Sequence, residues 1–334
     1  FCIVNLYSTS VYSNLNTVKV TVNNGAINGS VFGGAKGNAT YTPHVKGNIT
    51  VNINGGTIGS VYGGFDQSGT PEGTDYVYLN GGVIGSSFGG GNNTSINTSN
   101  IYLQGATTTY LYGGSNQSGD VTKTNVTISS GTVTSAFGGN NIGGTCAETH
   151  VTVTGGTIVT DLYGGGNAVA TTTTNLNLNS SDNTIPDIYG GGKSADATTT
   201  NVNVNGIKAT NIFGGSNTSG TVTTSNVIFN SGTVTNVYGG NNAGGTTTTS
   251  NVTINNGVIP NVYGGGNQAE TNTSHVIINN GNITKVFGGG NLANTTTTFV
   301  NVNSGSIGEC YGGGNQAGAT TTTLTLKSGF IGSV

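Results

Sequence analysis

An aromatic residue followed by glycine-rich sequence recurs twelve times, at Phe32, Tyr62, Phe88, Tyr112, Phe137, Tyr163, Tyr189, Phe213, Tyr238, Tyr263, Phe287 and Tyr311. The first two intervals are 30 and 26 residues and all later ones are 24 to 26, a period of about 25. Self-similarity at a fixed period of this size marks a repeat architecture, in which no single unit buries its own apolar face. The problem therefore reduces to one unit and how it stacks.

The unit from Thr246 to Glu270 reads TTTTSNVTINNGVIPNVYGGGNQAE. Its first half alternates polar and apolar residues through Asn251, Val252, Thr253, Ile254 and Asn255, the pattern of a strand with one buried face. An Asn-Gly or Ser-Gly turn follows, as at Asn256-Gly257, Ser231-Gly232 and Ser304-Gly305. Next comes a short segment whose second position holds Gly59, Gly85, Thr134, Pro186, Thr235, Pro260, Thr284, Gly308 or Gly332. Proline cannot donate to a strand ladder, so this position reads as a corner or bulge. The glycines after the aromatic make a second bend, and threonine-rich sequence enters the next strand.

Two or three short strands and their bends in about 25 residues describe one coil of an all-β, parallel β-solenoid. About 13 coils stacked at the strand spacing predict a rod on the order of 60 Å long. A propeller blade needs a longer unit of four strands, and a leucine-rich repeat needs a leucine framework. Residues 26–334 form the predicted solenoid, with 1–25 an atypical first coil or junction. The position before each aromatic holds Val31, Val61, Ser87, Leu111, Ala136, Leu162, Ile188, Ile212, Val237, Val262, Val286 and Cys310 and is expected to face inward. The aromatics are expected to stack as a ladder, either packed at a corner or exposed as a binding stripe. Asparagines stacked at the coil spacing are expected to hydrogen-bond along the rod axis. Outward threonines, Thr171 with Thr173 and Thr295 with Thr297, offer a flat array that could order water or meet ice.

Composition removes several classes. Gly, Thr and Asn make up 166 of 334 residues, while Asp, Glu, Lys and Arg make up 6% and the formal charge is −3. Without arginine or a basic patch, nucleic-acid binding is not expected. No apolar run approaches the roughly 18 residues of a membrane helix, so no membrane insertion is expected.

Catalytic and metal-binding patterns are sparse. His150 and His275 open strands where other units hold Asn, and His44 stands apart from both. Cys2, Cys146 and Cys310 show no metal-ligand spacing. Asp161 and Asp187 occupy the same position in consecutive units, close enough to approach within about 5 Å at the strand spacing. Ser135 and Asn211 flank them, so no carboxylate site extends further. The position that carries Asp in glycine-rich calcium repeats is Asn167, Asn267, Asn291 or Asn315. No phosphate-loop pattern accompanies the Gly runs. No enzyme activity and no cofactor or metal are expected.

The chain opens FCIVNLYS and closes GFIGSV, where other units continue with an aromatic and two glycines. Phe1 and Val334 are therefore candidate end-to-end contacts, with coils continuing beyond or completed by a neighbouring chain. The units from Gly56 to Gly64 (GTIGSVYGG) and from Gly257 to Asn267 (GVIPNVYGGGN) resemble repeat regions of bacterial and archaeal surface adhesin-like proteins with β-solenoid stalks. That resemblance implies an extracellular or cell-surface stalk, fibre or sheath. The expected partners are copies of the same chain, end to end and side by side, and surface polysaccharide. The alternative is a surface-binding module, a glycan-binding adhesin or an ice binder, using the aromatic or threonine ladders.

Overall fold

The computed structural model describes residues 14–179 and 184–334. Phe1, Cys2 and Asp182 lie outside the described residues. All regular structure among the described residues is β, and strands within the stack pair in parallel with their counterparts one turn before and one turn after. Thr246–Ile254 shows the rule: its Val252 lies between Val227 and Val276. Val258–Tyr263 does the same, with Val262 between Val237 and Val286. This is a parallel β-solenoid with a period of about 25 residues. Eleven full turns separate Phe32 from Tyr311. That is slightly fewer than the 13 coils expected, because the strands flanking this interval, such as Val18–Val22 and Phe330–Ser333, belong to incomplete end turns.

Each turn has three parts. The first strand buries alternate residues: Thr247, Ser250, Val252 and Ile254 point inward in the unit above. A glycine turn follows, and at Gly257 the φ of 126° lies where only glycine is unstrained. The second strand ends at the aromatic. A glycine arch then returns the chain, and it must pass close to its neighbours. A Cβ on Gly264 would sit 2.1 Å from the Gly288 carbonyl oxygen one turn on. The arches continue the ladder, with Gly264 N–H donating to the Phe287 carbonyl and Asn267 N–H to the Asn241 carbonyl. Backbone groups are thus paired all round the coil, which is what makes irregular, glycine-rich sequence tolerable at this position.

The interior is a continuous aliphatic column. Val126, Val151, Leu176, Val202 and Val227 stack on one wall, and Leu111, Ala136, Leu162, Ile188 and Ile212 on the other. The position before the aromatic is buried in every turn from Val31 to Cys310. Its polar exception, Ser87, is hydrogen-bonded to Thr108 at 3.1 Å. Each buried Val, Leu or Ile contributes about 1.5–3 kcal/mol, so the column is the main source of stability.

The threonine array differs from expectation. Thr171 and Thr295 are buried, while Thr172 and Thr296 are the fully outward residues. Thr173 and Thr297 are half-buried. The strand bends here, so two adjacent residues face out between inward positions 171 and 174, and strict alternation fails for one step. The outward column runs through Thr172, Thr198, Thr223 and Thr248, is interrupted by Asn272, and continues through Thr296 and Thr320.

Candidate functional site

The second strand ends in the same orientation in every turn, so it delivers one aromatic ring to the same corner each time. The twelve rings from Phe32 to Tyr311 form one unbroken stack, with centroid distances of 4.5 to 5.1 Å and interplanar angles of 4 to 11°. The rings form a hydrophobic cluster of their own, distinct from the aliphatic column. They are buried from Tyr62 to Phe287; Phe32 is half-buried, and Tyr311 at the other end is 40% exposed. Their faces are covered by one another.

The tyrosine hydroxyls reach the next feature outward. Asn217 Nδ2 donates to the Tyr163 hydroxyl at 2.9 Å, and Asn116 Nδ2 to that of Tyr62 at 3.2 Å. Burial pushes the phenols of Tyr112 and Tyr238 up to about 12 and those of Tyr163 and Tyr189 higher still. The asparagines themselves are stacked. Asn116, Asn141 and Asn167 each donate Nδ2 to the Oδ1 of the residue one turn earlier, at 2.8–2.9 Å. The same chain of bonds resumes from Asn217 through Asn242, Asn267 and Asn291 to Asn315. Lys193 occupies the intervening position and interrupts it.

Further asparagine ladders run along the outer faces of both strands. Asn201, Asn226 and Asn251 lie on the first, and Asn205, Asn230, Asn255, Asn279 and Asn303 at its end. The second carries Asn211, Asn236 and Asn261. Each neutral bond contributes about 0.5–1.5 kcal/mol, and identical side chains at a fixed spacing satisfy one another without any other partner.

A set of buried hydroxyls was not legible beforehand. Nine successive first strands place Ser99, Thr124, Thr149, Thr174, Thr200, Ser225, Ser250, Ser274 and Thr298 against the arch, each donating to the carbonyl of the first glycine after the aromatic. Thr200, for instance, donates to Gly214 at 2.5 Å. Each hydroxyl clasps an arch to the strand that precedes it. Asn140 is a second internal clasp. Its Oδ1 accepts from the Ser115 N–H, and its Nδ2 donates to the carbonyls of Gly119, Gly143 and Thr145. Asn241 repeats this with Ser216. The signal was present as a GGSN arch followed one turn later by GGNN, twice.

The charged residues fall singly into these columns. Asp161 and Asp187 are neighbours in register, and Asn211 donates to Asp187 Oδ1 at 2.7 Å. Burial, then the adjacent Asp187 charge, raises the Asp161 carboxyl above the ordinary aspartate range. His150 and His275 stand in the asparagine column as expected, the first bound to Glu148 at 2.7 Å, the second stacked on Phe299 at 4.7 Å. Cys146 and Cys310 are buried and far apart in the stack. Among the described residues, no three His, Cys, Asp or Glu side chains converge.

The last described turn, Ala319–Leu326 and Phe330–Ser333, continues the stack by pairing with the turn before it. Searches against protein-family models, curated proteins and solved structures returned no match.

Proposed function

We propose that this chain is a non-enzymatic structural β-solenoid that forms, or belongs to, a self-assembling filament or cell-surface stalk outside the cell. The observation that carries the reading is the repetition along one axis: the aliphatic column, the stack of twelve aromatic rings and the asparagine ladders each repeat one kind of side chain at the strand spacing. Stacks of identical ladders of this kind favour axial and lateral association. The proposed partner is a second copy, end to end. The sparse charge supports lateral packing too, since neutral Thr and Asn surfaces bring rods together without repulsion.

Electron microscopy and sedimentation of the purified chain test this. Filaments are expected, and a Thr223→Lys, Thr248→Lys double variant, which charges the outward face of the rod, should weaken their lateral association. Monodisperse single rods at high concentration would overturn the proposal.

One observation favours a second reading, a surface-binding module. The outward Thr172, Thr198, Thr223 and Thr248 repeat at the strand spacing on an exposed face, an arrangement suited to ordering water against ice. Thermal hysteresis that is lost on Thr198→Lys and Thr223→Lys would favour it. The aromatic stack offers a glycan less, because its faces are covered; a polysaccharide partner would meet the outward Asn and Thr rows instead.

A further inference from the structure

One buried acid stands at the head of the hydroxyl column. Asp75 pairs in register with Ile49 one turn before and Ser99 one turn after. Ser99 is the first of the nine hydroxyls that clasp a glycine carbonyl. Asp75 is 1% exposed, and neither of its carboxyl oxygens has a hydrogen-bond partner. Its Oδ2 lies against the arch of its own neighbourhood: a Cβ added to Gly64 would come within 2.8 Å of it.

The equivalence identifies its partner. Ser99 donates to the Gly113 carbonyl, and Phe88 pairs with Tyr112, so the carbonyl that corresponds for Asp75 is that of Gly89. A carbonyl accepts and cannot donate. A carboxylate in this position would set two acceptors against each other in a dry interior, whereas a neutral acid has one O–H to give.

We propose that Asp75 is protonated in the folded chain and that its acid O–H replaces the serine or threonine hydroxyl as donor to Gly89, making the turns around it an acid-closed segment that loosens as pH rises. The groups packed on Asp75 leave it no counter-charge. Ile49 and Ser99 flank it along the axis, Val77 shares its inward face, and the arches facing it are Gly63, Gly64 and Phe65 and then Gly89 to Gly91. The titratable residues that flank those arches in sequence are Tyr62, whose hydroxyl accepts from Asn116 at 3.2 Å, and Asp66, which accepts from Asn92 at 2.9 Å. Glu72 lies at the foot of the strand, bound to His44 at 2.7 Å. None of these supplies a positive charge to Asp75. Burial alone holds its carboxyl well above the ordinary aspartate range, in agreement with the geometry.

The sign follows from linkage. A folded-state value above the unfolded one means the stabilisation is complete below the ordinary aspartate range and is lost as pH rises through the folded value. Between those limits, opening of the segment should become about tenfold more frequent per pH unit, one proton being released. The effect is local, because each turn contacts only its neighbours.

Hydrogen exchange resolved by peptide tests this, on the whole chain, with rates corrected for intrinsic pH dependence. In the wild type, protection of the segment from 60 to 92 should be greatest in mild acid and fall towards neutral pH, while the segment from 200 to 300 stays level. Asp75→Ser, which restores the side chain used by later turns, and Asp75→Asn should both remove the pH dependence. Wild-type protection that is level with pH, or dependence that survives in either variant, would overturn the proposal. Infrared spectra give a readout that needs no folded Asp75 variant. In an Asp161→Asn background, a protonated-acid carbonyl band should persist near neutral pH in the folded chain and vanish on unfolding; its absence in the folded chain would equally overturn the proposal.

Discussion

The turns before Asn93 and those after it solve the same problem differently. Every glycine arch has to be tied to the strand that precedes it. In the later turns small polar side chains do this: a hydroxyl clasp in each turn, with Gly, Ser or Asn at the third arch position, as at Gly166, Ser216 and Asn241. The early turns use bulk. Phe65 takes the third arch position, is completely buried, and packs with Val45 and Ile49 as a separate apolar plug. It lies so close to Gly34 and Gly69 that a Cβ on either would come within 2.6 Å of its ring. The turn from Phe32 to Tyr62 is also longer, at 30 residues, and a short third ladder of Asn14–Leu15, His44–Val45 and Thr70–Pro71 lies beside these early strands. Val18–Val22 already pairs with Ile49–Ile53, so the stack begins within the segment expected to be atypical. The comparison teaches that the conserved element of this solenoid is the spacing of its strands. How each arch is filled varies from one turn to the next, by hydrophobic plug or by hydrogen bond.

The contrast can be broken at either end. Phe65→Ala should cost about 3–5 kcal/mol and unlock the early turns, because a plug leaves a cavity when removed; denaturant unfolding with exchange protection of residues 30–90 checks it. Thr200→Val keeps the shape but leaves the Gly214 carbonyl without its donor, and should cost about 1–3 kcal/mol, confined to adjacent turns. Tyr163→Phe preserves the aromatic stack and removes the hydroxyl's bonds with Asn217 and Asp161, so a loss of about 0.5–1.5 kcal/mol per bond is expected in the same assay. Lys285→Ala removes a surface ion pair with Glu309 and should leave unfolding unchanged within error.

Alkaline titration separates the aromatic stack from the exposed tyrosines. Burial raises Tyr112 and Tyr238 to about 12, so their contribution to stability is complete below the ordinary phenol value and lost as pH rises through 12. Ultraviolet absorbance should therefore show a late phenol ionisation, above the ordinary phenol value, that coincides with unfolding. A single step near the ordinary phenol value would contradict the burial of the stack.

Much of this was legible in the sequence, for a physical reason. A period of about 25 and an alternating strand dictate the parallel stack, and the residue before each aromatic, from Val31 to Cys310, carries its inward orientation in its own hydrophobicity. The asparagine columns follow from repetition of one side chain at one spacing. The threonines were not legible in the same way. In a run such as Thr171 to Thr174 the residues are chemically identical, and only the bend in the strand decides that 171 and 174 turn in while 172 and 173 turn out. The hydroxyl clasps were hidden by the same degeneracy, and so was the anomaly of Asp75, which stands out only once its column is known.

The central claim is that turns continue from one copy to the next along the rod. Diffraction from aligned assemblies of the purified chain tests it directly. The account predicts filaments with a strong reflection at about 4.8 Å along the filament axis, since the strands lie across that axis. Assemblies with that spacing perpendicular to the axis, or a solution of single rods with none, would contradict it.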